Sequence, residues 1–365
     1  MSNSDKQTNQ YTDKRHRVAQ DPSIKKRNRF LLIGILAISI IFTIILSTGY
    51  ILRYVIPQEK VIVEIGESKY KRADMLKMLR VKQKNAEMIG STIKSSEEIF
   101  KALQNMIENE IIDQVAPSIG IAVTEGQVDI YVRDVFMPTY NSDESPDPVQ
   151  IEREFREIFN NYLNSVGLTE EEYKKFTRWS MLREQMRQFI GESVPTVAEQ
   201  VYLHRLMVMP DDEIDIMKKK FNDAIPFKYI VREFSKDNEE VIRRGGEIGW
   251  IPRGIFPEYD YIIFDLEPNL LSIESQSIET PPLLYFFMIS EKDPARKIAL
   301  EELEQLKTKA LNDWLNTKRK EFNVKATFNS EVHSWLSKQL QVSSLDKPKA
   351  KKSRLQELGV LQGKK

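Results

Sequence analysis

Three histidines, His16, His204 and His333, lie far apart in a chain of 365 residues that has no cysteine. Absence of cysteine excludes thiol nucleophiles, disulfides, thiolate zinc sites and iron–sulfur clusters. Three histidines this dispersed in sequence argue against a His-rich metal centre. The acidic clusters Asp211-Asp212-Glu213 and Glu170-Glu171-Glu172 read as helix starts, where carboxylates favour the helix dipole, and carry no paired-carboxylate chemistry. Two polar residues remain with a distinctive setting. His204 stands in the apolar run Tyr202–Met209, and Asp237 closes Phe234-Ser235-Lys236-Asp237. The stretch Gly245-Gly246-Glu247-Ile248-Gly249-Trp250-Ile251-Pro252-Arg253-Gly254 follows, with glycines that permit positive φ and close backbone approach. A histidine on an apolar strand can equally be a hydrogen-bonded structural residue, and Asp237 before Asn238 can simply cap a turn.

The elements that would position these residues fall into two textures. Val61–Arg72 reads as a short strand with a turn at Gly66, and a helix begins near Ala73. Helical spacing continues through Ile99, Leu103, Met106, Ile107 and Ile111. Thr124-Glu125-Gly126-Gln127 forms a capping-box pattern ahead of Val128, Ile130 and Val135. A polar, Pro-rich loop spans 138–150. A helical pair follows, carrying Phe155, Ile158, Phe159 and Leu163, then Met181, Leu182, Met186 and Phe189, with a stop and a new N-cap at Gly167–Glu172. Beyond Ser193-Val194-Pro195-Thr196 the pattern changes to short apolar runs at 202–209, 228–234, 249–251 and 283–289, with one helix candidate at 211–221. This is an α+β texture. Pro294 to about Val324 reads as a charged helix with a stripe of Leu300, Leu303, Leu306, Leu311 and Trp314, and 329–340 adds a short element.

Charge is segregated although 54 basic residues balance 54 acidic ones. Residues 1–29 hold eight basic and three acidic residues, and 341–365 hold seven and two, so the body is acidic. An acidic body argues against nucleic acid as partner. Phe30–Leu52 carries no charge over 23 residues, long enough as a helix to cross a hydrocarbon core of ~30 Å. A cleaved signal peptide would have a shorter apolar region and a small-residue cleavage site. Lys25-Lys26-Arg27-Asn28-Arg29 before the span puts the N-terminus in the cytoplasm and the body outside it. The expected layout is a basic cytoplasmic tail at 1–29, a transmembrane helix at 30–52 and a disordered basic tail at 341–365.

The motif Phe234–Asp237 followed by Gly245–Gly254, with the strand around His204 ahead of it, resembles the parvulin (rotamase) family of peptidyl-prolyl isomerases. Val61–Met75, Gly167–Glu172 and Val194–Val201 are similar to the N-terminal domain of SurA- and PrsA-type foldases. The resemblance implies an α+β protein in which 57–196 and 293–340 form a mainly helical chaperone region and 197–292 a small parvulin-like domain. It implies a foldase for unfolded exported polypeptides, working without cofactor or metal. His204, Asp237 and Tyr285 would be its polar catalytic groups, and Ile248, Ile255, Phe256 and Tyr259 would line the proline pocket. Here the chain departs from the family: Ile255-Phe256-Pro257-Glu258-Tyr259 is one residue short, and Leu283-Leu284-Tyr285-Phe286-Phe287 lacks the second histidine. Tyr285 or, with a one-residue shift, Phe286 stands in its place. The departures open a second reading, a holdase or a scaffold of a membrane complex that keeps the fold without the activity.

Overall fold

The computed structural model describes residues 36, 38–48, 56–93, 95–140, 147–276 and 282–345. Two compact units are distinguished, one of residues 1–60 with 71–73, the other of 61–70 with 74–365. In the first, 38–48 is helical with exposed apolar side chains, and Ile56–Glu59 is a short helical turn. Among the described residues no helix is long and apolar enough to cross a membrane. Of the span expected at 30–52, residues 30–35, 37 and 49–52 lie outside the described residues, as do the basic tail at 1–29 and 346–365; 341–345, expected to be disordered, are instead helical.

The second unit begins with β1 (Val61–Ile65) and β2 (Ser68–Lys71), joined through Gly66 at φ +59°. The helices α1 (Arg72–Met88), α2 (Ser95–Val115), α3 (Glu125–Phe136), α4 (Pro148–Val166) and α5 (Glu170–Gly191) follow. The expected capping box forms, Thr124 exchanging bonds with Gln127, and the N-cap expected in Gly167–Glu172 is Thr169, which makes a second capping box with Glu172. Gly167 ends α4 in the left-handed conformation at φ +69°. In α3 the buried stripe is Val128, Val132 and Phe136, an i, i+4, i+8 row, so Ile130 (64% exposed) and Val135 face outward, contrary to the sequence reading.

The chain later returns to this body. Helices α10 (Leu300–Glu321) and α11 (Ser330–Leu345) place Leu311, Leu315, Val332, Leu336 and Leu340 in the same apolar cluster as Ile65, Leu79, Met106, Ile111 and Leu182. Between them β7 (Lys325–Ala326) pairs with β1, Val63 opposite Ala326, completing the order β2-β1-β7. Helix α10 starts later than the expected Pro294 because 294–297 still belong to a strand. Leu300 is accordingly 74% exposed and not part of the stripe. Glu108 of α2 ties the body together: buried, it accepts hydrogen bonds from Arg183 of α5 at 2.6 Å, Arg319 of α10 at 2.5 Å and Gln104 at 2.9 Å.

A four-stranded antiparallel sheet is inserted between α5 and α10, in the order β4-β3-β6-β5. Its strands are β3 (Val197–Val208), β4 (Glu247–Pro252), β5 (Ser275–Gln276) and β6 (Leu284–Lys297). The helices α6 (Ile214–Asn222), α7 (Phe227–Phe234) and α8 (Glu239–Arg243) lie between β3 and β4, and α9 (Asp260–Ile263) follows β4. The apolar run 228–234 is thus a helix: Phe227, Ile230, Val231 and Phe234 are buried at spacings of three and four. Each face of the sheet carries its own core. Val201, Leu203, Tyr285, Phe287 and Ile289 cluster with Tyr259, Ile262 and Ile263. Leu206, Val208 and Phe286 cluster with Met217, Phe227, Ile230 and Val231.

Candidate functional site

Alternation along β3 decides which polar residue meets which core. Val201, Leu203 and Met207 belong to the cluster around Tyr259, whereas Leu206 and Val208 belong to the cluster around α7. Arg205 therefore stands on the Tyr259 face and His204 on the α7 face. The contacts agree. His204 Nε2 lies 3.1 Å from the Ser290 hydroxyl, and its ring lies 5.5 Å from Tyr202 and 6.2 Å from Phe227. Burial lowers its pKa, opposed by the nearby Glu247 carboxylate.

Asp237 meets Arg205 instead. Arg205 Nε donates to one carboxylate oxygen at 2.7 Å and Nη2 to the other at 2.9 Å, a fork that fits a carboxylate in two parallel bonds. The Asp237 side chain is 2% exposed. The segment leading to it is fixed to β3: the Lys236 amide donates to the Met207 carbonyl at 2.7 Å, and the Ser235 hydroxyl accepts from the Asp237 amide at 3.2 Å. The Arg205 backbone is fixed as well, its amide donating to the Gly246 carbonyl at 2.8 Å. Gly246 has φ +86°, and a Cβ there would fall 2.7 Å from the Arg205 carbonyl, so only glycine permits the approach.

Aromatic rings extend the site. The Arg205 guanidinium sits 5.7 Å from the Tyr285 ring centre. Tyr285 meets Tyr259 edge-on at 5.6 Å, and Tyr259 lies 5.2 Å from Phe287. Met207, Ile248, Ile255 and Phe256 pack partly buried against the same cluster. Phe286, the alternative to Tyr285, is fully buried on the opposite face. Among the expected residues, Asp237, Tyr285, Ile248, Ile255, Phe256 and Tyr259 thus gather on one face, and His204 does not join them. Arg205 joins instead, a residue the sequence reading missed. Its signal is the alternation along the strand, in which Arg205 shares a face with Leu203 and Met207.

The arrangement offers an apolar aromatic wall beside a fixed cation whose remaining N–H donors are free of Asp237. It can grip an apolar ring and donate hydrogen bonds to an adjacent polar atom. Near its rim Asp260 accepts from the Gly254 amide at 2.8 Å, and burial raises its pKa against that bond.

Residues 22–187 match the family model of the SurA-like N-terminal domain. No curated protein matches the chain. Similar solved structures include the peptidylprolyl isomerase PrsA from Bacillus anthracis, 18% identical over 68% of this chain and 99% of that one, at a TM-score of 0.37. The foldase protein PrsA from Streptococcus pneumoniae is 17% identical over 71% and 88%, at 0.32. PrsA from Bacillus cereus is 16% identical over 82% and 99%, at 0.33.

Proposed function

We propose that this chain is a membrane-anchored extracytoplasmic foldase, whose helical body holds unfolded exported polypeptides and whose sheet module is a parvulin-type peptidyl-prolyl cis-trans isomerase. The holding role is supported by the SurA-like N-terminal domain at 22–187 and by exposed apolar side chains on the body, among them Ile89, Phe100, Ile130 and Val149. Single-pass anchoring by 30–52, with the N-terminus cytoplasmic, is supported by the uncharged run and the basic cluster before it.

The isomerase reading is carried by one observation: Arg205, Asp237 and Tyr285 meet beside the apolar group of Tyr259, Phe287 and Phe256. Rotation about an X–Pro bond crosses ~18–20 kcal/mol because twisting destroys amide resonance. It localises a lone pair on the prolyl nitrogen, which then accepts a hydrogen bond that the planar amide cannot. A fixed donor stabilises the twisted form selectively. Arg205 is that donor, Asp237 holds it in place, and the aromatic wall with Ile248, Ile255 and Phe256 grips the proline ring. No cofactor and no covalent intermediate enter.

The test is a proline-isomerisation assay on the full chain. Arg205→Met is expected to lower the catalysed rate about tenfold, equivalent to ~1.4 kcal/mol of transition-state stabilisation, while His204→Gln leaves it near wild type. A wild-type rate equal to the spontaneous one would reject the enzyme. The second reading, a holdase, is favoured by the same ion pair, since Asp237 occupies two donors of Arg205. It predicts suppression of client aggregation with no isomerisation.

A further inference from the structure

In the helical body, α1 presents Arg80 and Lys84 one turn apart, on one face of the helix. With Gln83 of α1 and Asn164–Gly167 at the end of α4, they line a cavity of about 150 Å³. That lining holds two cations and no acid. Arg80 is half-buried, its Nε is fully enclosed without a hydrogen-bond partner, and among the described residues no carboxylate pairs with it. Burial alone accounts for the lowering of its pKa. Gly167 keeps the flank open: a Cβ there would approach Arg80 Nη1 to 3.3 Å. The neighbouring polar groups are already committed, the Ser165 hydroxyl donating to the Tyr162 carbonyl at 2.7 Å and the Tyr162 hydroxyl to Asn85 at 2.9 Å.

A half-buried guanidinium whose Nε is enclosed and unbonded, without a counter-charge, is costly, and buried charges are ordinarily paired. Arg183, Arg187 and Arg319, which the body also buries in part, each have a carboxylate. Arg80 has a cavity instead. We propose that this cavity is a carboxylate-binding subsite, in which Arg80 takes both oxygens of an acidic side chain or C-terminus of a bound polypeptide and Lys84 adds a second charge. The inference rests on the reading of the body as a polypeptide holder. It gives an otherwise acidic body a local preference for acidic segments, which its overall field would repel.

The experiment compares two labelled unstructured peptides, identical except that one bears a terminal carboxylate and the other the amide, by fluorescence anisotropy on the full chain. The carboxylate form is expected to bind about five- to tenfold tighter. Acetate should compete the difference away, Arg80→Met should abolish it without changing affinity for the amide form, and Lys84→Met should reduce it. Equal binding of both peptides to the wild type would overturn the subsite while leaving the holding role standing; binding of neither would remove that role itself. Competition by inorganic phosphate but not acetate would also overturn it, assigning the cavity to phosphoryl groups. Arg80→Met should melt no lower than wild type, because it removes an unpaired buried charge. A large fall in melting temperature would make Arg80 structural and end the proposal.

Discussion

The Arg205 guanidinium grips both carboxylate oxygens of Asp237, at 2.7 and 2.9 Å, while its neighbour His204 turns to the other face of the sheet. With Asp237 almost fully enclosed, the two charges depend on each other. Removing one partner of a buried pair costs ~3–5 kcal/mol, whereas replacing both by apolar groups is often neutral. Arg205→Ala is therefore expected to destabilise the sheet module by ~3–5 kcal/mol, and the double change Arg205→Met with Asp237→Leu by much less. Urea unfolding followed by fluorescence in chains that keep Trp250 and carry Phe at the other three tryptophans measures both. A double variant as unstable as Arg205→Ala would mean that the pair contributes through geometry, not charge.

The environment of His204 makes a pH prediction. Burial lowers its folded pKa below the unfolded value of ~6.5. Between the two values the unfolded chain binds the proton first, so its contribution is fully present above ~6.5 and is lost as pH falls towards and through the folded pKa. Unfolding midpoints measured from pH 7.5 down to 5 should fall with a component of at most ~1.4 kcal/mol per pH unit from this residue. His204→Asn should remove that component. An unchanged pH slope in His204→Asn would assign the acid sensitivity to the carboxylates instead.

Local signals in the sequence are strong where a cap starts or stops a helix, as at α3, α4 and α5. Thr124, Thr169 and Gly167 were legible because a cap is decided by residues three or four apart. The same held for Gly245 and Gly246, whose positive φ only glycine takes easily. What was not legible depends on partners distant in sequence. Phe227–Phe234 is short enough that its period is ambiguous between helix and strand until the sheet face that it covers is known. Pro294–Lys297 remains a strand because Lys297 pairs with Val197, a contact no local pattern contains. The choice between His204 and Arg205 is a one-residue matter of face, and in a strand one residue reverses the side.

Glu108 offers a test of how the helical body is held. Its side chain, 4% exposed, bridges Arg183 and Arg319, so one carboxylate joins α2, α5 and α10. Glu108→Ala leaves two partly buried cations facing each other and is expected to cost ~3–5 kcal/mol. Arg319→Ala should cost less, because Glu108 keeps Arg183 and Gln104. Chemical denaturation of the three chains gives the order directly. A loss below 1 kcal/mol for Glu108→Ala would show that packing of Leu311 and Leu315 alone secures α10.

The sheet module should be removable. Its entry and exit are adjacent strand positions: Val197 pairs with Lys297, and the Ile298 amide donates to the Thr196 carbonyl at 2.9 Å. A two-residue Asn-Gly turn spans such a gap, since hairpin turns of this type join antiparallel neighbours. Deleting 197–297 and joining Thr196 to Ile298 in this way leaves the apolar cluster of the body with all its members, from Ile62 to Leu340. Among what it loses is the close approach of Leu306 to Gly254, where an added Cβ would lie 3.1 Å from the Leu306 side chain. The shortened chain should fold cooperatively, still delay aggregation of an unfolded client, and have no effect on proline isomerisation. Ending the chain at 297 should instead prevent folding, because Leu311, Leu315, Val332, Leu336 and Leu340 leave the core, at ~1.5–3 kcal/mol for each apolar side chain lost from burial. Circular dichroism melts and light scattering with a denatured client distinguish the two deletions. A folded internal deletion that no longer delays aggregation would move client binding onto the sheet module.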